Sequence, residues 1–97
     1  MAINKKQIKH LKALAHDKKP IVIIGNNGVT DTVIAEIKIA LDHHELIKIK
    51  LPAVEKQNRL ATIKGVCDQC GANFVSMIGR VAIIFLPAPK SPINFPV

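Results

Sequence analysis

One stretch, Pro20 to Leu51, does most to limit what this chain can become. Ile21-Val22-Ile23-Ile24 is a short β-branched run, opened by Pro20 and closed by Gly25-Asn26-Asn27-Gly28. A run of that kind between turn residues predicts a strand buried on both faces. The two glycines allow positive φ and close backbone approach, and the asparagines also tolerate the left-handed region. Val29-Thr30 then opens a helix, with Thr30 as N-cap and Val29 stapled onto Ile34. Val33, Ile34, Ile37, Ala40 and Leu41 recur at helical spacing and carry that helix over about residues 31–43, with Glu36, Lys38 and Asp42 outward. Glu45-Leu46-Ile47-Lys48-Ile49-Lys50-Leu51 follows as a second strand, with Ile47, Ile49 and Leu51 on one face and Lys48 and Lys50 on the other. The loop between the first strand and the helix is bare backbone ahead of free helix N–H groups. The donors point outward, the helix dipole favours negative charge, and no side chain blocks an anion.

The flanking segments extend this unit. Asn4 with Gln7 forms a capping-box pattern, and Ile3 can staple onto Ile8 at the start of a helix that runs to about Asp17. Ile8, Leu11, Leu14 and Ala15 make its apolar stripe, while Lys5, Lys9, Lys12 and His16 recur at steps of four, three and four as a basic ridge. Lys18 and Lys19 continue that charge toward the glycine loop. The ridge, like the Lys48 and Lys50 face, reads either as an ordinary solvated surface or as part of an anion-binding one. After Pro52, residues 53–69 read as a third helix with Val54, Leu60, Ile63, Val66 and Cys67 inward, Arg59 and Lys64 outward, and Gly71 as its left-handed cap. Residues 73–77 and 81–85 are two strands joined by a tight turn around Ile78-Gly79-Arg80, which exposes Arg80. The order is therefore α-β-α-β-α-β-β: a two-layer α/β fold with a mixed sheet of four strands, three sharing one direction and one antiparallel. Residues 1–86 form one domain. From Pro87 onward, with Pro89, Pro92 and Pro96, an irregular proline-rich tail is expected.

The charge balance narrows the partner. Fourteen Lys and Arg against seven Asp and Glu give a net charge of +7, whose field attracts phosphate. With no Trp or Tyr and three Phe, a base-stacking sheet of the RRM kind is not expected. No apolar run reaches the ~20 residues of a membrane helix, and Met1-Ala2-Ile3-Asn4-Lys5 leads into a lysine-rich helix rather than a signal peptide, so a cytoplasmic protein with reduced thiols is expected. Cys67-Asp68-Gln69-Cys70 lies at a helix C-terminus, where the dipole disfavours a thiolate, and lacks the second ligand pair of a zinc site. His43 and His44 are adjacent on a helix end, where they suit capping better than ligation. The glycine loop matches neither G-x-x-x-x-G-K-[ST] nor G-x-G-x-x-G, and no Ser/His/Asp set or acid pair can be nominated. No enzyme, cofactor, metal or small-molecule substrate is expected. A GxxG loop clamping a sugar-phosphate backbone remains, the device by which KH modules hold single strands.

Ile21-Val22-Ile23-Ile24-Gly25-Asn26-Asn27-Gly28-Val29-Thr30, followed by Ala35-Glu36-Ile37 and by His43-His44-Glu45-Leu46-Ile47-Lys48-Ile49-Lys50, closely resembles the CRM domain, in particular its small stand-alone bacterial YhbY-like members. The likeness runs from the lysine-rich first helix through Ile78-Gly79-Arg80 to Leu86-Pro87. It implies a fold similar to the C-terminal domain of bacterial translation initiation factor three, and RNA binding without catalysis. For stand-alone bacterial members it implies an association with rRNA in large-subunit precursors. The family's GxxG maps onto Gly25, Asn26, Asn27 and Gly28, and its basic surroundings map onto the first-helix lysines and Lys48. Asn26 stands where the family commonly has a lysine, which shifts the work to backbone amides and flanking lysines. The expected RNA contacts are thus Gly25, Asn26, Asn27, Gly28, Lys5, Lys9, Lys12, Lys18, Lys19, Lys48, Lys50 and Arg80, on a monomer. The alternative is a protein-interaction module that docks on a ribosomal or translation factor through its apolar tail.

Overall fold

The computed structural model describes residues 3–87. Along the chain come α1 (Lys5–Ala15), β1 (Val22–Ile23), α2 (Asp31–His44), β2 (Leu46–Lys50), α3 (Lys56–Cys70), β3 (Asn73–Ile78) and β4 (Val81–Phe85). The expected order of elements is present, and the strands form one mixed sheet in the order β1-β2-β4-β3. β1 pairs parallel with β2, and β4 pairs antiparallel with both β2 and β3. Three strands therefore run one way, and the returning strand of the terminal hairpin fills the gap between β2 and β3. Ile78 pairs with Val81 across the two-residue loop Gly79-Arg80, with Gly79 at φ 60°, the glycine-first arrangement of a II′-type turn. The proline-rich segment beyond Pro87 lies outside the described residues.

The layering differs from the two layers that the sequence pattern predicts. α2 and α3 pack on one face, in a cluster with Ile24, Ile37, Leu41, Ile49, Ile63 and Ile84. α1 packs on the other face, where Leu11 and Ala15 meet Leu46, Val75, Ile83 and Phe85. β2 shows how one strand serves both faces: Ile47 and Ile49 go to the first cluster and Leu46 to the second. A register shift in β3 between Phe74 and Ser76 lets Val75 reach the α1 side while Phe74 and Met77 pack toward α3. The α1 layer is partial, and that explains a second difference. The first strand is not buried on both faces: Val22 and Ile24 are buried, whereas Ile21 and Ile23 are 49% and 66% exposed. The α1 cluster does not extend to this edge strand, so one side of β1 stays open.

The caps follow the sequence closely. The Asn4 side chain accepts from the Gln7 N–H at 2.8 Å and the Gln7 side chain accepts from the Asn4 N–H at 3.0 Å, the complete capping box. Thr30 Oγ1 accepts from the Val33 N–H at 3.2 Å. Gly71 closes α3 in the left-handed region at φ 69°. α1 stops at Ala15 rather than at Asp17, and Leu14, placed on the apolar stripe by periodicity, is 42% exposed. α3 begins at Lys56, not Ala53. Its N-cap Glu55 makes no side-chain cap bond, and the Arg59 guanidinium, expected outside, reaches back to donate to the Val54 carbonyl. α2 runs one residue further than expected and joins β2 through Glu45 alone, at φ 60° and ψ −47°, the region of the strained γ-turn.

Candidate nucleic-acid interface

The sheet positions the glycine loop. The Ile24 N–H donates to the Lys50 carbonyl at 2.8 Å, so Gly25 follows directly on the last hydrogen bond from β1 to β2, two residues beyond the Ile23–Lys50 pair. The Gly28 N–H donates to the Gly25 carbonyl at 3.0 Å, closing a four-residue turn. Gly28 takes φ 75°, which only glycine adopts without strain, whereas Gly25 does not use the positive-φ region. Asn26 and Asn27 are exposed at the tip, and among the described residues their backbone N–H groups have no hydrogen-bond partner. The turn leads directly to Thr30 and the N-terminus of α2, with Asp31 as the sole acidic residue of its first turn. Two open amides beside a helix N-terminus form an anion-binding concavity.

The two glycines consequently carry different expectations. At Gly25 a Cβ would meet nothing within 4 Å and φ is ordinary, so Gly25→Ala should leave the melting temperature unchanged; any loss of RNA affinity then reports a ligand that needs the space. Gly28→Ala should instead destabilise by about 1 kcal/mol, because its backbone lies where a side chain is strained. Thermal melting of the two variants, alongside RNA titration, checks both.

The cations fall into two groups. Lys50 and Arg80 stand at the loop end of the sheet: the Leu51 N–H donates to the Arg80 carbonyl at 2.7 Å, and Arg80 Nε donates to the Leu51 carbonyl at 3.1 Å. Lys48 lies one turn of the pleat further back, where its ammonium donates to the His16 carbonyl at 3.2 Å and ties down the end of α1. Lys12 shares that region with His16, whose carbonyl is the anchor that charge counting alone did not assign. Lys5 and Lys9 continue the exposed ridge along α1, and the four ridge positions from Lys5 to His16 span about 17 Å at 1.5 Å per residue. Lys18 and Lys19 are exposed but precede β1, so they stand at the opposite end of that strand from the loop, with residues 20–24 between them and Gly25. The structure thus gathers the loop, Lys50 and Arg80 at one end and sets Lys48 further back, where it adjoins Lys12 and His16 on one side and Lys18, Lys19, Ile21 and His44 on the other.

This layout matches a known family. The family model of the CRS1/YhbY (CRM) domain covers residues 3–85. The chain belongs to the CRM-domain family. A CRM relative, the probable RNA-binding protein PA4753 of Pseudomonas aeruginosa, is 39% identical over 90 residues, covering 93% of this chain and 86% of the relative. An RNA-binding protein of Haemophilus influenzae is 36% identical over 94 residues, covering 97% and 95%. The solution structure of SAV1595 from Staphylococcus aureus shares the fold with a TM-score of 0.74 at 27% identity, covering 98% of this chain and 100% of that one.

The remaining chemistry of this CRM domain is sparse. Among the described residues no group of three or more His, Cys, Asp or Glu is placed to hold a metal ion, and no helix is long and apolar enough to cross a membrane. Burial pushes the Cys67 thiol up to about 11, with Cys70 and Asp68 adding to the shift, and burial also raises Cys70 against a smaller opposing pull from Lys38. A raised thiol pKa means the neutral form below that pH, so at pH 8 the buried Cys67 is held as the unreactive thiol. Iodoacetamide at pH 8 should therefore leave Cys67 unmodified in the folded protein and alkylate it only after denaturation, as peptide mass spectrometry would show.

Proposed function

We propose that this CRM domain is an RNA-binding protein that grips the sugar-phosphate backbone with the Gly25–Gly28 loop, assisted by Lys50 and Arg80 beside it and by Lys5, Lys9, Lys12 and Lys48 along the α1 face. Lys18 and Lys19 extend the field at the other end of β1. The observation that carries the reading is the exposed loop tip with two unpartnered amides, held by the sheet at the same end as Lys50 and Arg80. The net charge of +7 and the RNA-binding names of the Pseudomonas and Haemophilus relatives support it. Its target, on this proposal, is rRNA within precursors of the large ribosomal subunit, where the protein acts as a non-catalytic, cytoplasmic, monomeric assembly factor. The protein-docking alternative depends on the tail, which lies outside the described residues.

The test is the salt dependence of binding to naked rRNA fragments. Neutralising phosphates releases counterions, so log affinity should fall linearly with log salt, by about 0.7 per phosphate contact on a single strand. Four to six contacts predict a slope of about −3 to −4. A slope near zero between dilute and physiological buffer would defeat the proposal. Crosslinking in cells followed by RNA sequencing would then name the site on the RNA.

A further inference from the structure

The sheet face that α1 leaves partly uncovered holds a hollow of about 440 Å³. Ile78, Val81 and Ile83 line it with apolar surface, and Lys12, His16 and Lys48 bring polar and cationic groups to the same space. Its size falls within the range of small-ligand sites, roughly 300–1,000 Å³. Ile78, 64% exposed at the end of β3, contributes little to the core, and an apolar surface bounded by polar groups marks a place where something binds. The occupant must present an apolar body and carry negative charge close by. A nucleotide combines the two: a heterocycle with an apolar face, tethered to phosphate.

Position favours a base over any other occupant. Val81 pairs with Lys50, whose carbonyl accepts from the Ile24 N–H, so the Val81 edge of the hollow stands at the loop end of the sheet, while Ile83, which pairs with Lys48, and Pro20 carry the hollow back toward the start of β1. β1 and β4 are separated by β2 alone, which puts the two about 10 Å apart at the usual strand spacing. Recognition of single-stranded RNA requires somewhere to put bases that have left their stack. This chain has no Trp or Tyr, and of its three Phe, Phe85 is fully buried under α1, so an aliphatic seat has to serve. We propose that the hollow between the end of α1 and strands β2 and β4 seats one unstacked base of a single-stranded RNA whose backbone rests on the Gly25–Gly28 loop. This inference depends on the RNA-binding reading above and adds a base contact to what would otherwise be a grip on phosphate alone.

The experiment compares two probes of equal length and charge, an oligouridine and an abasic ribose-phosphate strand, titrated against the full chain. Wild type should bind the oligouridine about tenfold more tightly, the scale of one base contact. Ala13→Leu adds bulk at an exposed α1 position that lines the hollow, changes no charge and suits a helix; Ile78→Ser removes floor at an exposed position. Each should melt as wild type, bind the abasic strand as wild type with the same salt slope, and lose the preference for oligouridine. Photo-crosslinking from 4-thiouridine should mark the peptides that hold Lys12–His16 and Ile78–Val81. Equal wild-type affinity for the two strands, or an undiminished preference in both variants, overturns the inference alone and leaves the hollow to a protein segment. Binding to neither strand at low salt overturns the RNA-binding reading with it.

Discussion

Replacing both loop asparagines with aspartate, Asn26→Asp and Asn27→Asp together, should weaken RNA binding at least tenfold while the protein melts as wild type. Both side chains are exposed and neither makes a hydrogen bond among the described residues, so the change removes nothing the fold relies on. Surface substitutions of that kind stay within about 0.5 kcal/mol. Carboxylates ahead of Thr30 and the α2 N-terminus meet a favourable helix dipole, not a repulsive one. A loss of affinity therefore cannot come from unfolding. Two carboxylates would repel phosphate and compete for the open amides, and tenfold corresponds to about 1.4 kcal/mol. Lys5→Ala with Lys9→Ala is the matched control, because it lowers the net charge by the same two units, from +7 to +5. Those lysines act through solvent, where separations beyond about 8 Å are screened at physiological salt, and they should cost less. If the two double variants weaken binding equally, net charge alone recruits RNA and the loop is only a turn. If the aspartate variant binds like wild type, phosphate is not held there at all.

What the sequence made legible and what it hid divide along a physical line. Signals that act over three or four residues were readable: the Asn4–Gln7 box, the Thr30 cap, the left-handed Gly71 and the tight turn around Gly79 all rest on local backbone geometry, although Ile78, read as part of that turn, belongs to β3. The alternation in β2 likewise placed Ile47 and Ile49 opposite Lys48 and Lys50. Which surface covers which was not readable, because it depends on where a helix lands. Ile21-Val22-Ile23-Ile24 looks the same whether its outer face is buried or bare, and only the limited reach of α1 leaves Ile21 and Ile23 exposed. The Glu45 joint was hidden for a different reason. A one-residue connection at positive φ ordinarily calls for glycine, and this chain places a buried glutamate there. For the site, the loop could be named from its residues, whereas the tie from Lys48 to the His16 carbonyl joins positions 32 apart and carries no signature in either segment. Lys18 and Lys19 show the converse: a charge run that reads as leading to the loop ends up at the far end of β1.

The same distinction sets the largest stability effect expected in this molecule. Leu11 and Leu14 are equivalent by periodicity, both on the apolar stripe of α1, yet Leu11 is fully buried against Leu46, Val75, Ile83 and Phe85 while Leu14 is 42% exposed. Leu11→Ala removes the central contact between α1 and the sheet and leaves a cavity that a rigid β-surface cannot close, at a cost of about 2–5 kcal/mol. Against a total stability of about 5–15 kcal/mol, that loss is severe. In a domain of this size each kcal/mol moves the melting midpoint by about 4–8 °C, so Leu11→Ala should lower it by at least ~8 °C. Leu14→Ala should shift it by a few degrees at most, since little of that side chain leaves water on folding and alanine favours the helix. Calorimetry of the two variants, read side by side, checks the seating of α1 directly. Equal shifts would mean that α1 does not dock through Leu11. Lys12 and the C-cap residue His16, which follow Leu11 at the end of α1, would then lose their fixed place beside Lys48, and the basic face could not present a single surface to RNA.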